Sequence, residues 1–208
     1  MSNIQIEFFH DVICSLCFPM SYRMRQIAAM MPEAEIVHRS FALIKDEQDF
    51  DRMFGSREAA KHEIVTHWEQ ANKNDDLHRF NIAGMLGTEF PFPTSMPGLV
   101  ACKAAAFAGG EGAYWDVFDA LQYALFVQSR NIGDQEILAA IVRETNIDFA
   151  KWNAHYRDPK TLQAVEEDLL LVQKHGVNVV PYLLINGKQS VRGAQPIKRI
   201  LQAIEAAT

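Results

Sequence analysis

The sequence predicts an α/β fold: one small sheet assembled from the two ends of the chain, with a large all-helical insertion between them. Three observations carry this. Runs of strand character lie near the start, at 4–9 (IQIEFF) and 34–43 (AEIVHRSFAL), and near the end, at 177–185 (VNVVPYLLI) and 189–192 (QSVR). From about Asp46 to His175 the apolar spacing is helical almost throughout. The resulting order is β-α-β, a helical block, then β-β-α, and the two ends match as halves of one sheet.

In the opening strand, Ile4 and Ile6 alternate with Gln5 and Glu7 before two aromatics, Phe8 and Phe9. From Leu16 the apolar positions Leu16, Met20, Met24, Ile27 and Met31 follow one helical face. Pro19 predicts a lost backbone bond there, with a kink or an irregular first turn, and Pro32 helps end the helix. Ser56 can cap a helix running to about Asn72. Residues 84–98, with Pro91, Pro93 and Pro97, read as a loop. Two helices, 99–108 and 113–128, are separated by Gly109-Gly110-Glu111-Gly112. Asp134 caps a helix to about Thr145, and Asp148 starts a short one. Asp158-Pro159 starts a long one, with Leu162, Val165, Leu169 and Val172 on one stripe, and Gly176 stops it. Asn186-Gly187 is a strong hairpin signal. Gln195-Pro196 opens a last helix with Ile197, Ile200, Leu201 and Ile204 on one face. These boundaries divide the chain into a discontinuous domain, 1–45 with 176–208, and an inserted helical domain, 46–175.

Composition narrows the function. With 208 residues, 49% hydrophobic and 22% charged, the chain can bury a good-sized core. A net charge of −6 without a long basic run argues against nucleic acid as the main partner. The apolar runs are far short of a membrane span, and residues 1–7 carry no secretory signal pattern, so a cytoplasmic location is expected. Three cysteines do not make a disulfide framework.

Cys14-Ser15-Leu16-Cys17 stands where the first strand gives way to the first helix. A thiol at a helix N-terminus faces unpaired N–H groups and the positive end of the helix dipole, which favour its thiolate. A second thiol three residues on can attack a mixed disulfide and release the product. A zinc site would need a further ligand pair, and Cys102, in a small-residue helix, reads as packing. His62 and His67 are one residue too far apart for the HExxH zinc helix and read as solvated surface. The Gly109–Gly112 run lacks the residues of a phosphate loop and reads as a connector. Asp11 and His10, just before the pair, are candidates for a proton relay or for capping the local turn, with capping favoured. Glu7 would join them if it faces inward. Met85, Phe90, Phe92 and Met96 read first as core and second as the lining of an apolar groove beside Cys14.

These motifs together resemble the thioredoxin fold, and the size of the insertion resembles the DsbA family of thiol–disulfide oxidoreductases. The Asp11-Val12-Ile13-Cys14 context and the VVPYLLING stretch look most like its FrnE-type cytoplasmic branch. The resemblance implies Cys14 as an exposed nucleophile, Cys17 as the more buried resolving thiol, and Val180-Pro181 as a cis peptide. That peptide would face the cysteines and offer the Val180 backbone to a substrate. It implies no metal, nucleotide or flavin. The partners it implies are protein or small thiol–disulfide substrates and an outside thiol such as glutathione, in a monomer or homodimer. The chain departs from better-known members in carrying Ser15-Leu16 between the cysteines, without the His that would help hold a thiolate. The direction of reaction is therefore open. Two other readings remain. One is a glutathione-dependent isomerase or transferase of the kappa or 2-hydroxychromene-2-carboxylate type, which uses a serine near the Cys14 position. The other is a non-catalytic peptide-binding or chaperone-like module.

Overall fold

The computed structural model describes residues 4–208. Residues 1–3, where the predicted first domain segment and the leader reading begin, lie outside the described residues. The sheet has four strands in the order β2-β1-β3-β4. β1 (Gln5–His10) pairs in parallel with β2 (Glu35–Ser40) across α1 (Cys17–Met30). It pairs antiparallel with β3 (Tyr182–Ile185), which pairs antiparallel with β4 (Gln189–Arg192). The β3–β4 turn is Asn186-Gly187, at φ 50° and 65°. Two successive positive φ values are what a two-residue hairpin matching the strand twist requires. The last helix, α9 (Ile197–Ala207), buries Ile200, Ile204 and Ala207.

The first helix is regular despite Pro19, which corrects the expected kink. Helix α1 begins at Cys17, so Pro19 is its third residue. The first four N–H groups of a helix have no partner within it, so no bond is lost there. The strand expected over 177–185 is shorter, because residues 177–181 approach the sheet as irregular chain and pairing begins at Tyr182.

The helices between β2 and β3 are α2 (Glu47–Phe54), α3 (Arg57–Asn74), α4 (Ile82–Leu86), α5 (Met96–Phe126), α6 (Gln135–Arg143), α7 (Phe149–Tyr156) and α8 (Pro159–Lys174). Side-chain caps from Asp46, Ser56, Asn81, Asp134, Asp148 and Asp158 start six of them. The stretch expected as loop over 84–98 instead contains most of α4 and the start of α5. The two helices expected around the glycine run form one element, broken at Gly110, whose φ of 80° and ψ of −172° suit glycine. In α8 the predicted stripe is displaced. Leu162 is exposed, and Thr161, Val165 and Asp168 turn inward.

Asp168 explains the displacement. Strand β2 is an edge strand, and its outward backbone groups need partners. The Ser40 amide donates to Asp168 Oδ2 at 2.7 Å, the His38 amide to Glu111 at 3.1 Å, and Lys103 Nζ to the His38 carbonyl at 3.3 Å. Lys103 also pairs with Asp168 at 2.6 Å, and both side chains are nearly buried. Helices α5 and α8 thus finish the sheet edge, and one apolar core runs through the sheet and the segment 46–175. Replacing Lys103 with Met leaves the Asp168 carboxylate buried, with Arg39 as its remaining cation at 3.5 Å. The expected cost is about 3 kcal/mol in denaturant unfolding. Adding Asp168→Asn should recover part of that loss.

Candidate active site

Cys14 lies in the turn ahead of α1, and Cys17 is the first residue of the helix. Two backbone bonds shape the turn: the Cys14 amide donates to the Asp11 carbonyl and the Cys17 amide to the Cys14 carbonyl, both at 3.1 Å. Both cysteines are free thiols. Cys17 is fully enclosed, and burial first, then the neighbouring Cys14 and the Asp11 charge, push its thiol well above the usual range. Cys14 is only 5% exposed, so it is far less open than the sequence reading supposed. Its Sγ donates to the Val180 carbonyl at 3.6 Å, across 166 residues of chain, and the Val180–Pro181 peptide is cis.

A groove of about 440 Å³ opens beside Cys14. Ile13, Leu16, Leu43 and Ile44 line it together with Met53 and Phe54 of α2 and Ile64 of α3. Glu63 and His67 give it a polar rim. His67 is exposed, as its reading as solvated surface expects, and it also borders the groove. Of the four residues proposed to line a groove, only Phe92 does so. Met85 is core, and Phe90 lies under the Lys61 ammonium.

Asp11 is fully buried. Its Oδ1 accepts from the Ile13 amide at 3.2 Å, and its Oδ2 from the Leu43 amide at 2.7 Å and the Ser95 hydroxyl at 2.6 Å. It caps the local turn and also fastens it to the β2–α2 connection and to the start of α5. Burial raises its carboxyl to about 6, against the pull of these donors. Gly98 lets α5 approach this turn closely, since a Cβ there would lie 2.5 Å from Val12 Cγ2. Gln122 reaches the same turn with its amide nitrogen, 3.2 Å from the Cys14 carbonyl. Sequence reasoning missed Ser95, Gly98 and Gln122. The available signal for Gln122 was a lone polar residue on the buried face formed by Phe118, Leu121 and Leu125.

His10 turns to other partners. Its Nε2 lies 3.0 Å from His38 Nδ1, and its ring packs on Phe118 and Tyr114. Glu7 pairs with Arg39 at 2.7 Å, on the face of the sheet toward α8. Cys102 is fully buried, and burial pushes its thiol up. No cluster of three or more metal-ligating side chains occurs among the described residues. Likewise, no helix among them is long and apolar enough to cross a membrane.

This arrangement joins a four-stranded sheet, a Cys-x-x-Cys turn at a helix start and a facing Pro-strand segment. It defines a thioredoxin-type domain with a helical insertion. The model of the DSBA-like thioredoxin domain matches residues 5–205, and the chain belongs to that family, the class of DsbA-like disulfide oxidoreductases. Among solved structures, a candidate protein disulfide isomerase from Nitrosomonas europaea superposes with a TM-score of 0.77 at 15% identity, covering 99% of this chain and 97% of that one. The cytosolic disulfide reductase DsbM from Pseudomonas aeruginosa, solved with GSH, gives 0.71 at 16% identity, covering 98% and 95%. Among curated proteins, the ClpXP adapter protein SpxH of Bacillus subtilis is 21% identical over 181 residues, which is 86% of this chain and 57% of SpxH. The chain thus spans little more than half the length of that relative.

Burial holds His38 at about 3 and His10 well below the usual imidazole range, so both are neutral at pH 7. A histidine whose folded value is depressed contributes stability that is present above about pH 6.5 and is lost as pH falls toward the folded value. Between pH 4 and 6, His38→Gln should reduce the acid slope of the unfolding free energy by about 1.4 kcal/mol per pH unit. Urea titrations at several pH values measure it.

Proposed function

We propose that this protein exchanges disulfides through Cys14 and Cys17. The observation that carries the reading is the contact of Cys14 with the Val180 carbonyl, with Cys14 also lining an apolar groove. The Cys14 thiolate attacks one sulfur of a substrate disulfide, forming a Cys14–substrate bond and expelling the other sulfur as a thiolate. Cys17 then loses its proton and attacks the Cys14 sulfur. The products are a Cys14–Cys17 disulfide and a substrate reduced by two electrons. Two molecules of an outside thiol of the glutathione class return the pair to its reduced form and leave as their own disulfide. In a reducing cytoplasm this direction is favoured, and the same residues serve the reverse.

The electrostatics support this order of events. Cys17 is held protonated partly by its neighbour Cys14. Once Cys14 is bonded to substrate it carries no charge, and that restraint on Cys17 is lifted. Asp11 is the proposed acceptor of the Cys17 proton, being ionised above about pH 6. The groove walls suit an apolar segment of a protein substrate, and the Val180 backbone gives an extended chain a pairing edge. The exchange as proposed needs no metal, nucleotide or flavin.

The decisive experiment starts from Cys102→Ser protein equilibrated against a glutathione series. One reversible two-electron step is expected. Adding Cys17→Ser should abolish turnover and accumulate a mixed disulfide at Cys14, detected by mass. If the Cys17→Ser protein kept full activity toward glutathione-dependent substrates, the isomerase or transferase reading would replace this one. A binding role like that named for SpxH would survive replacement of both cysteines by Ser. For Asp11, the resolving rate should rise through about pH 6 in the parent. In Asp11→Asn it should fall at least about tenfold and lose that inflection. Stopped-flow release of substrate thiol checks both.

A further inference from the structure

Gln122 sits in the second half of α5, fully buried, and its amide nitrogen faces three backbone oxygens of the redox turn. These are the carbonyls of Asp11 at 3.3 Å, Val12 at 3.5 Å and Cys14 at 3.2 Å. Two of them already have partners, while the Val12 carbonyl has only Gln122 as donor among the described residues, at 3.5 Å. The Asp11 carbonyl accepts from the Cys14 amide, and the Cys14 carbonyl from the Cys17 amide. A second donor on an oxygen that is already bonded is not needed to make its burial tolerable. At the far end of the side chain, Gln122 Oε1 is buried with no partner. Leaving an acceptor unmade in that way costs free energy that an apolar side chain of the same length would avoid. Partnering the buried Val12 carbonyl accounts for a donor here, but not for its reach to two oxygens that are already bonded, nor for an orphaned acceptor.

What the amide does accomplish is directional. The two oxygens it draws onto α5 are those that close the turns carrying the two redox cysteines. We propose that Gln122 is a positioning residue for the redox pair. It holds the Asp11 and Cys14 carbonyl dipoles toward the insertion and away from the sulfurs, and so favours the reduced, anionic form of the pair over its disulfide. The inference rests on Cys14 and Cys17 being the redox pair.

The test compares Cys102→Ser protein with and without Gln122→Met in glutathione equilibria. The substitution removes both the donors and the orphaned acceptor at similar volume. The expected result is an equilibrium constant shifted about tenfold toward the disulfide, or about 30 mV for a two-electron couple. Thermal stability should change little, because the orphaned acceptor is removed while the Val12 carbonyl loses its one long bond, and the turnover rate should fall about tenfold while KM stays within about twofold. Gln122→Leu, which also removes the donors, should shift the equilibrium in the same direction. It stands in if the Met variant does not fold. An unchanged constant in a folded variant, or a shift toward the dithiol, overturns the inference. If the parent shows no reversible couple, the redox reading itself is lost and this inference with it. A normal parent with an unresponsive variant removes only the role of Gln122.

Discussion

The buried carboxylate of Asp11 is the constraint on which the rest of the site depends. It binds three segments that are distant in sequence: its own turn at Ile13, the β2–α2 connection at Leu43 and the start of α5 at Ser95. The Ile13 amide and the Ser95 hydroxyl are buried, so loss of the carboxylate would strand both of them and cut the tie to Leu43. Gly98 completes the arrangement by letting α5 close against Val12. The Cys14–Cys17 turn is therefore a junction between the sheet and the inserted helices, not a loop on the surface of the sheet.

The same insertion solves a different problem at the opposite edge. A four-stranded sheet has two edges, and β2 is one of them. Glu111, Lys103 and Asp168 satisfy its outward backbone groups with side chains in place of another strand. The break at Gly110 falls just before Glu111, so α5 delivers Lys103 from one side of the break and Glu111 from the other. This use of charged side chains leaves β2 without a free ladder for another chain to extend.

Two kinds of buried ionisable group coexist around β1, and they behave in opposite ways. His10 and His38, stacked with Tyr114 and Phe118, give up their charge to burial. Asp11 keeps enough donors to ionise within the physiological range. The difference lies in the neighbours rather than in depth, since all three are nearly inaccessible. Aromatic faces offer little to an imidazolium beside Lys103 and Arg25, whereas amide and hydroxyl donors offset part of the cost of a carboxylate.

By itself the sequence determined the family, the split sheet, most helix starts and the place of the Cys-x-x-Cys motif. Those features are local: capping side chains, the Asn186-Gly187 turn, apolar spacing and two cysteines three residues apart each act within a few residues. It also suggested that Asp11 caps the turn, because the Ile13 amide is a near neighbour. It did not reach Ser95, Gln122 or the inward turn of Asp168, whose partners are 51 to 128 residues away or on another helix. Nor did it show that Cys14 is nearly buried or that His10 faces His38, since exposure and partner depend on how the helices close over the sheet. Helical spacing defines a face but not which face the tertiary packing selects. In α8 the need to satisfy the Ser40 amide outweighed the burial of Leu162, and only the assembled structure could decide between them.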